Sequence, residues 1–234
     1  MRCKAGFFAG VSPNVGLLLH FDGDDLDTTT IDSSAFGRTV TLGSAAVIST
    51  AQSKFGGSSL FLDGSTYANV SVGAQFNIDD RDWTIDAWIY LDAENSASQA
   101  MVCEIGNHGG NGVAFWMELS SGEWFPVLWL GSGTSSVGYQ QAMGTQAATP
   151  GEWTHVALVR DGLTMRMFVD GADAGTLAID TDTSVSATTN TVQVGGNYTS
   201  NPSAVFAGYI DELRVLVGKA DFTAAFTPPA SAYA

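Results

Sequence analysis

Between residues 152 and 175 the chain reads EWTHVALVRDGLTMRMFVDGADAG, two apolar runs of strand length cut by Asp-Gly pairs nine residues apart. In the second run Met165, Met167 and Val169 share one parity while Arg166 and Asp170 take the other, which is the period of a half-buried strand. Asp161-Gly162 predicts a two-residue hairpin turn, because both residues tolerate the positive φ such turns demand. Asp170-Gly171 starts the next reversal. The same punctuation recurs at Asp22-Gly23 after LLLHF and at Asp63-Gly64 after SLFL. Further short runs follow: WTIDAWIYL at 83–91, VAFWMEL at 113–119, WFPVLWL at 124–130, TVQVGG at 191–196 and IDELRVLVG at 210–218. The stretch AFGRTVTLGSAAVISTAQSKFG is interrupted by Gly37, Gly43 and Gly56 and rich in Thr, Val and Ser, so it predicts short strands and loops instead of a helix. Roughly a dozen strands with this spacing predict an all-β, antiparallel two-sheet sandwich.

Composition narrows this to one domain. The 234 residues are 45% hydrophobic with six Trp and thirteen Phe, enough for a substantial core, and 27 Gly suit many tight turns. Asp and Glu number 24 against nine Lys and Arg, a formal charge of −15, and the cations are scattered from Arg2 to Lys219. Nucleic acid and anionic membrane surfaces are therefore excluded as expected partners. No apolar run is long enough to span a membrane. Pro13, Asn14 and three glycines break the apolar segment a signal peptide needs, so the chain is expected to be made and kept in the cytoplasm until assembly. Cys3 and Cys103 form neither a zinc pattern nor a disulfide framework, and whether they pair is left open.

LLLHFDG at 17–23, KFGGSSLFLDGSTY at 54–67, WTIDAWIY at 83–90, GEWTHVALVRDG at 151–162, MFVDG at 167–171 and GYIDELRV at 208–215, in this order, resemble the laminin G-like family of concanavalin A-like jelly rolls. The resemblance covers residues 16–218. It implies two antiparallel sheets packed face to face, one of them concave. Residues 1–15 fall outside it as an N-terminal arm, either a virion attachment or a disordered tail. The tail at 219–234 either packs on the domain or leaves it. Its sequence KADFTAAFTPPASAYA, and the opening LLLHFDG, resemble the bacteriophage structural-protein branch of the family.

The catalytic signatures of such jelly rolls are missing. None of Glu94, Glu104, Glu118, Glu123, Glu152 and Glu212 starts a Glu-x-Asp-x-x-Glu strand, and no His follows a Gln by two positions. No Gly-x-Ser-x-Gly elbow or phosphate-cradling loop occurs. Asp86 and Glu118 are the strand-borne acids that an unrecognised glycan-degrading site would use. His20 and His155 lie inside strand blocks and are expected to be packed or hydrogen-bonded; His108, in GNHGGNG, is placed for ligand contact. Sugar binding needs aromatic faces beside amides and carboxylates. Candidates are Trp116, Glu118, Trp124, Trp129 and Tyr139 in one segment, with Asn107, His108, Asn197 and Tyr198 in loops. Trp116 shares parity with Glu118, against Val113, Phe115 and Met117, and is expected to point away from the core. Trp83, Trp88 and Trp153 are expected to pack in it. Many members of the family hold one calcium ion; the resemblance implies Asp22 and Asp211 as its ligands, whereas Asp22 and Asp63 alone would suit turn-holding hydrogen bonds.

The function expected from these features is a noncatalytic virion protein, a capsid decoration, fibre or tail-associated subunit, that adheres to cell-surface or environmental glycans. Its partners would be other virion proteins, and its assembly a homo-oligomer. The alternatives are a purely structural contact subunit and a glycan-degrading enzyme.

Overall fold

The computed structural model describes residues 14–73, 76, 78–93, 97–185, 191–197 and 204–234. Among them there is no helix; fifteen strands, β1 to β15, make two antiparallel sheets. The first sheet uses β1 (Val15–Leu19), β3 (Val47–Ser49), β4 (Ser59–Asp63), β6 (Trp83–Leu91), β11 (Trp153–Asp161), β12 (Thr164–Val169), β13 (Ala172–Ala178) and β15 (Ala207–Val217). Its order is β13-β12-β11-β6-β15-β4-β3, with β1 pairing the second half of β15 beyond the end of β4. The second sheet, ordered β10-β9-β8-β7-β14-β5-β2, uses β2 (Val40–Leu42), β5 (Ala68–Ser71), β7 (Gln99–Ile105), β8 (Val113–Ser120), β9 (Glu123–Leu130), β10 (Gln140–Met143) and β14 (Thr191–Val194).

Alternation sorts each strand between inner and outer faces. On β6, Trp83, Ile85, Ala87, Ile89 and Leu91 enter the core between the sheets, leaving Thr84, Asp86, Trp88 and Tyr90 on the outer face. Trp83 is thus a core residue as expected. Trp88, at odd spacing from it, is buried instead on the outer face, beneath the Lys54 ammonium at 3.6 Å, and Trp153 packs half-buried on Tyr90. On β8, Val113, Phe115 and Met117 face the core and Trp116 faces out, in a separate cluster with Met101, Ala114, Val127 and Ala204.

The β11–β12 hairpin follows the sequence with one shift. β11 and β12 pair as predicted, but Asp161 lies opposite Thr164, so the central turn residues are Gly162 and Leu163. Only Gly162 has positive φ, the type II′ pattern, and Asp161 closes the ladder. Asp170 and Gly171 do occupy the centre of the next turn, with φ of 48° and 73° between the paired Val169 and Ala172. Asp63-Gly64 is not a hairpin: β4 belongs to one sheet and β5 to the other, so this turn carries the chain across the sandwich. The Asp22-Gly23 segment also leads into a loop, since β1 pairs β15 and not β2. The segment at 35–56 forms the short strands β2 and β3.

At both ends the described residues are tied to the eight-stranded sheet. Val15, assigned to the arm, pairs with Leu216, and Asn14 Nδ2 donates to the Val217 carbonyl at 3.1 Å. The arm at 1–13, with Cys3, lies outside the described residues; Cys103 is buried. The tail at 219–234 packs on the outer face of the eight-stranded sheet. Phe222 and Phe226 stack with centroids 3.8 Å apart and cover Phe168, Ala157 and Val159. Tyr233 reaches Asp86 with its hydroxyl, and its amide donates to Glu212 Oε2 at 2.9 Å. One outer face is therefore closed by the protein's own tail, and the other carries the site described next.

Candidate functional site

β7, β8, β9 and β10 lie side by side, and the outward residues of neighbouring strands come into register. Gln99 faces Glu118, Met101 faces Trp116, and Gln141 faces Trp129. These side chains, with His108 from the β7–β8 loop and Asn197 and Ala204 from either side of the segment between β14 and β15, line a cavity of about 250 Å³. That is slightly below the roughly 300 to 1,000 Å³ of drug-sized sites, which suits a ligand of about one or two rings.

Hydrogen bonds fix the rings. Trp116 Nε1 donates to Glu118 Oε2 at 3.1 Å, and Trp129 Nε1 donates to the His108 carbonyl at 3.0 Å. Both indoles thus have their polar edge tied to protein and present apolar surface. Trp129 lies 6.3 Å from Trp116 and is stacked by Tyr139 at 4.8 Å with only 7° between planes. Tyr139 itself is 61% exposed, so the outer ring of this stack is open to solvent. The loop carrying His108 is anchored from below: the buried Glu104 carboxylate accepts the His108 amide at 2.8 Å and its Nδ1 at 2.7 Å.

Of the residues singled out in the sequence, His108, Trp116, Glu118, Trp129 and Asn197 line the cavity and Tyr139 backs it. Asn107 is beside it in a supporting role, its Oδ1 accepting the Gly109 amide at 2.9 Å to shape the loop. Tyr198 lies outside the described residues. Trp124 is a correction: it is 3% exposed in the core between the sheets, because an odd spacing from Trp129 on one strand sends it to the opposite face. Gln99, Met101, Gln141 and Ala204 had no sequence signal of their own; strand parity combined with the pairing register is what finds them.

The two acids named for a degradative site are also separated. Glu118 is on the outer face of the seven-stranded sheet. Asp86 is fully buried on the outer face of the other, held by Arg214 Nε at 3.0 Å, by His155 and by Tyr233. The core lies between them, so they cannot flank one glycosidic bond.

Asp22 and Asp211 each lie against residues 54–56, away from this cavity. Asp211 Oδ2 accepts the amides of Lys54 and Phe55 at 2.8 and 3.0 Å, while its Oδ1 is buried with no hydrogen-bond partner. Gly56 packs so closely on Asp22 that a Cβ there would sit 1.7 Å from Asp22 Oδ1. Burial pushes the Asp211 carboxyl up to about 7 despite those two amide bonds, with the neighbouring Glu212 charge adding to the rise. His20 sits beside the pair; its bond to Glu212 at 2.7 Å holds it above the ordinary imidazole range against its own burial. Among the described residues no group of three or more His, Cys, Asp or Glu side chains is arranged to hold a metal, so any ion here would need backbone oxygens as well.

The sequence matches the family described as the concanavalin A-like lectin/glucanases superfamily over residues 62–219, more than half of the chain. The chain belongs to that superfamily. No curated protein matches it. Among solved structures, the binding domain of botulinum neurotoxin serotype G superposes with a TM-score of 0.66 at 14% identity, over 88% of this chain and 48% of that one. Domain 4 of AbnA, a GH43 extracellular arabinanase from Geobacillus stearothermophilus solved with arabinotriose, superposes with a TM-score of 0.62 at 19% identity, over 88% and 94%. A botulinum neurotoxin type C structure, described as dependent on two ganglioside molecules for cell entry, gives 0.62 at 11%, over 89% and 49%. The chain thus spans about half the length of the neurotoxin structures and nearly all of the arabinanase domain. As a concanavalin A-like domain it combines the superfamily's sandwich with one tail-covered outer face and one open, aromatic-lined one.

Proposed function

We propose that this concanavalin A-like domain is a noncatalytic glycan-adhesion module whose ligand sits against Trp116, Trp129 and Tyr139 and is hydrogen-bonded by Gln99, Glu118, Gln141 and Asn197. The observation that carries the reading is the pairing, in one cavity, of ring faces held by their own N–H groups with amide and carboxylate side chains. C–H surfaces of sugar rings stack on such faces, and their hydroxyls match amides that both donate and accept. The arabinotriose and ganglioside named for the structural neighbours are consistent with this use of the fold. The opposed placement of Asp86 and Glu118 supports the noncatalytic reading. The phage-like opening and closing blocks support display on a bacteriophage virion, as a homo-oligomer contacting other virion proteins; mass spectrometry of purified particles tests that finer reading.

Glycan-array binding is expected for the wild-type protein. Trp129→Ala is expected to lower affinity about 30-fold or more, the scale of a buried aromatic hot spot, with an unchanged circular dichroism spectrum. Trp124→Ala should instead reduce stability. A silent array with intact particle binding would replace adhesion by a purely structural contact role.

The proposal includes one calcium ion held by Asp22 and Asp211. The orphaned, buried Asp211 Oδ1 is the observation that fits it. The ion would supply charge compensation to the Asp211 carboxylate that burial disfavours and would fix the 54–56 loop to β15. Saturating calcium at 100 times its Kd is expected to add about 2.7 kcal/mol, a rise of about 5 to 10 °C in Tm over a chelator control. Asp211→Asn should abolish that response. An identical Tm with calcium and chelator in the wild-type protein would remove the ion from the proposal.

A further inference from the structure

We infer that the cavity takes neutral saccharides and rejects those bearing a carboxylate, such as sialylated or uronate-containing chains. The inference rests on the glycan-adhesion reading and narrows its ligand class. It begins with a gap in the sequence: no Lys or Arg occurs from Asp82 to Val159. That stretch supplies β7, β8, β9 and β10, and β2, β5 and β14 contain none either. The whole seven-stranded sheet is built without a permanent cation. It does carry acids, with Glu104, Glu118 and Glu123 in its strands.

The cations among the described residues lie on the other sheet or in connecting segments. Arg160, Arg166 and Arg214 are on β11, β12 and β15, and Arg38, Lys54, Arg81 and Lys219 are outside the strands; none lines the cavity. Among the described residues His108 is the one basic side chain at its wall, and its Nδ1 is bonded to the Glu104 carboxylate at 2.7 Å, so that nitrogen is not offered to a ligand. Nor do the indoles offer a donor, since both N–H groups are bonded to protein. An incoming carboxylate would therefore meet Glu118 across the cavity with no cation among the described residues to balance it, on a protein of formal charge −15. A neutral sugar meets the opposite situation. Its hydroxyl can donate to Glu118, and a hydrogen bond to a charged acceptor is about twice as strong as one between neutral groups. The same carboxylate thus attracts one ligand class and repels the other, which is how specificity between close relatives is built.

The test is a titration of the full chain with matched pairs, neutral galactose- and xylose-based oligosaccharides against their sialylated and glucuronate-substituted counterparts, at low and at physiological salt. The neutral member of each pair is expected to bind at least tenfold more tightly at low salt, and the ratio should narrow as salt screens the repulsion. Trp129→Ala should remove binding of both members, which places them in this cavity. Glu118→Gln should shift the ratio at least threefold toward the acidic member. Equal or tighter binding of the acidic members overturns the inference and leaves the adhesion reading standing. A ratio untouched by Glu118→Gln also overturns it, since the selection would then arise elsewhere. Failure to bind any member of either class defeats the adhesion reading itself.

Discussion

Deleting residues 221–234 is expected to destabilise the domain by at least about 5 kcal/mol and to shift it into the insoluble fraction. Phe222, Phe226 and Tyr233 are each half-buried on the eight-stranded sheet, and removing them returns apolar surface of Phe168, Ala157 and Val159 to water. At about 25 cal/mol per Å² that burial alone is worth roughly 1 kcal/mol or more for each ring. The deletion also removes two backbone anchors, Phe226 N to the Gly171 carbonyl at 2.9 Å and Asp221 N to Thr84 Oγ1 at 2.9 Å. Finally it strips Tyr233 from Asp86 and Asp221 from Arg214, leaving buried charges with fewer partners. Whole domains are stable by only about 5 to 15 kcal/mol, so the sum reaches the threshold of folding. The measurement is soluble yield together with the urea midpoint. A Phe222→Ala/Phe226→Ala double variant that keeps Tyr233 should fold with a lower midpoint at constant m, equivalent to a loss of about 3 kcal/mol. A truncated chain with the wild-type midpoint would show that the tail is an ornament on a self-sufficient sandwich.

How far the sequence told this in advance depended on which physical rule was at stake. Period-two alternation and Asp-Gly pairs made the meander at 153–178 legible, because both are local. The same Asp-Gly signal misled at Asp63-Gly64, since a turn residue specifies backbone dihedrals and not which sheet receives the next strand. The aromatic site was half legible. Trp116 and Glu118 share a parity that points them outward, and the odd spacing of Trp124 from Trp129 already carried the information that only one of them could join Trp116. Gln99 and Gln141 were hidden because a residue enters a cavity through the strand opposite it, and register is a long-range property. The C-terminal tail was opaque for the same reason: KADFTAAFTPPASAYA has no strand period, and its aromatics gain meaning only once Phe168 and His155 are seen beneath them.

Asp86→Ala is expected to cost about 3 to 5 kcal/mol, a fall in Tm of about 10 °C, because it breaks a buried ionic network from its centre. Asp86 is fully buried, bonded by Arg214 Nε at 3.0 Å and by the Tyr233 hydroxyl, with His155 Nε2 at 3.4 Å. Without it the Arg214 guanidinium, 3.9 Å over the Tyr233 ring, keeps Asp221 as its one acidic partner among the described residues, and His155 loses the acid against its Nε2. Burial alone would raise the Asp86 carboxyl, but the His155 hydrogen bond and the Arg214 charge outweigh it and hold the group below its ordinary range. A carboxyl depressed in the folded state contributes stability above its unfolded pKa of about 3.9, and that contribution is lost as pH falls through the folded value. Acid unfolding should therefore steepen below about pH 4 in the wild-type protein and flatten in Asp86→Asn, which keeps the shape but cannot ionise. Equal acid sensitivity of the two, or a loss under about 1 kcal/mol for Asp86→Ala, would mean that Arg214 and His155 are held by their surroundings and not by this carboxylate. The contrast with Glu118 is then a matter of what covers each acid. On one outer face the chain has laid its own tail over a carboxylate and balanced the charge; on the other it has left a half-buried carboxylate beside two tethered indoles, with no cation among the described residues at the cavity wall.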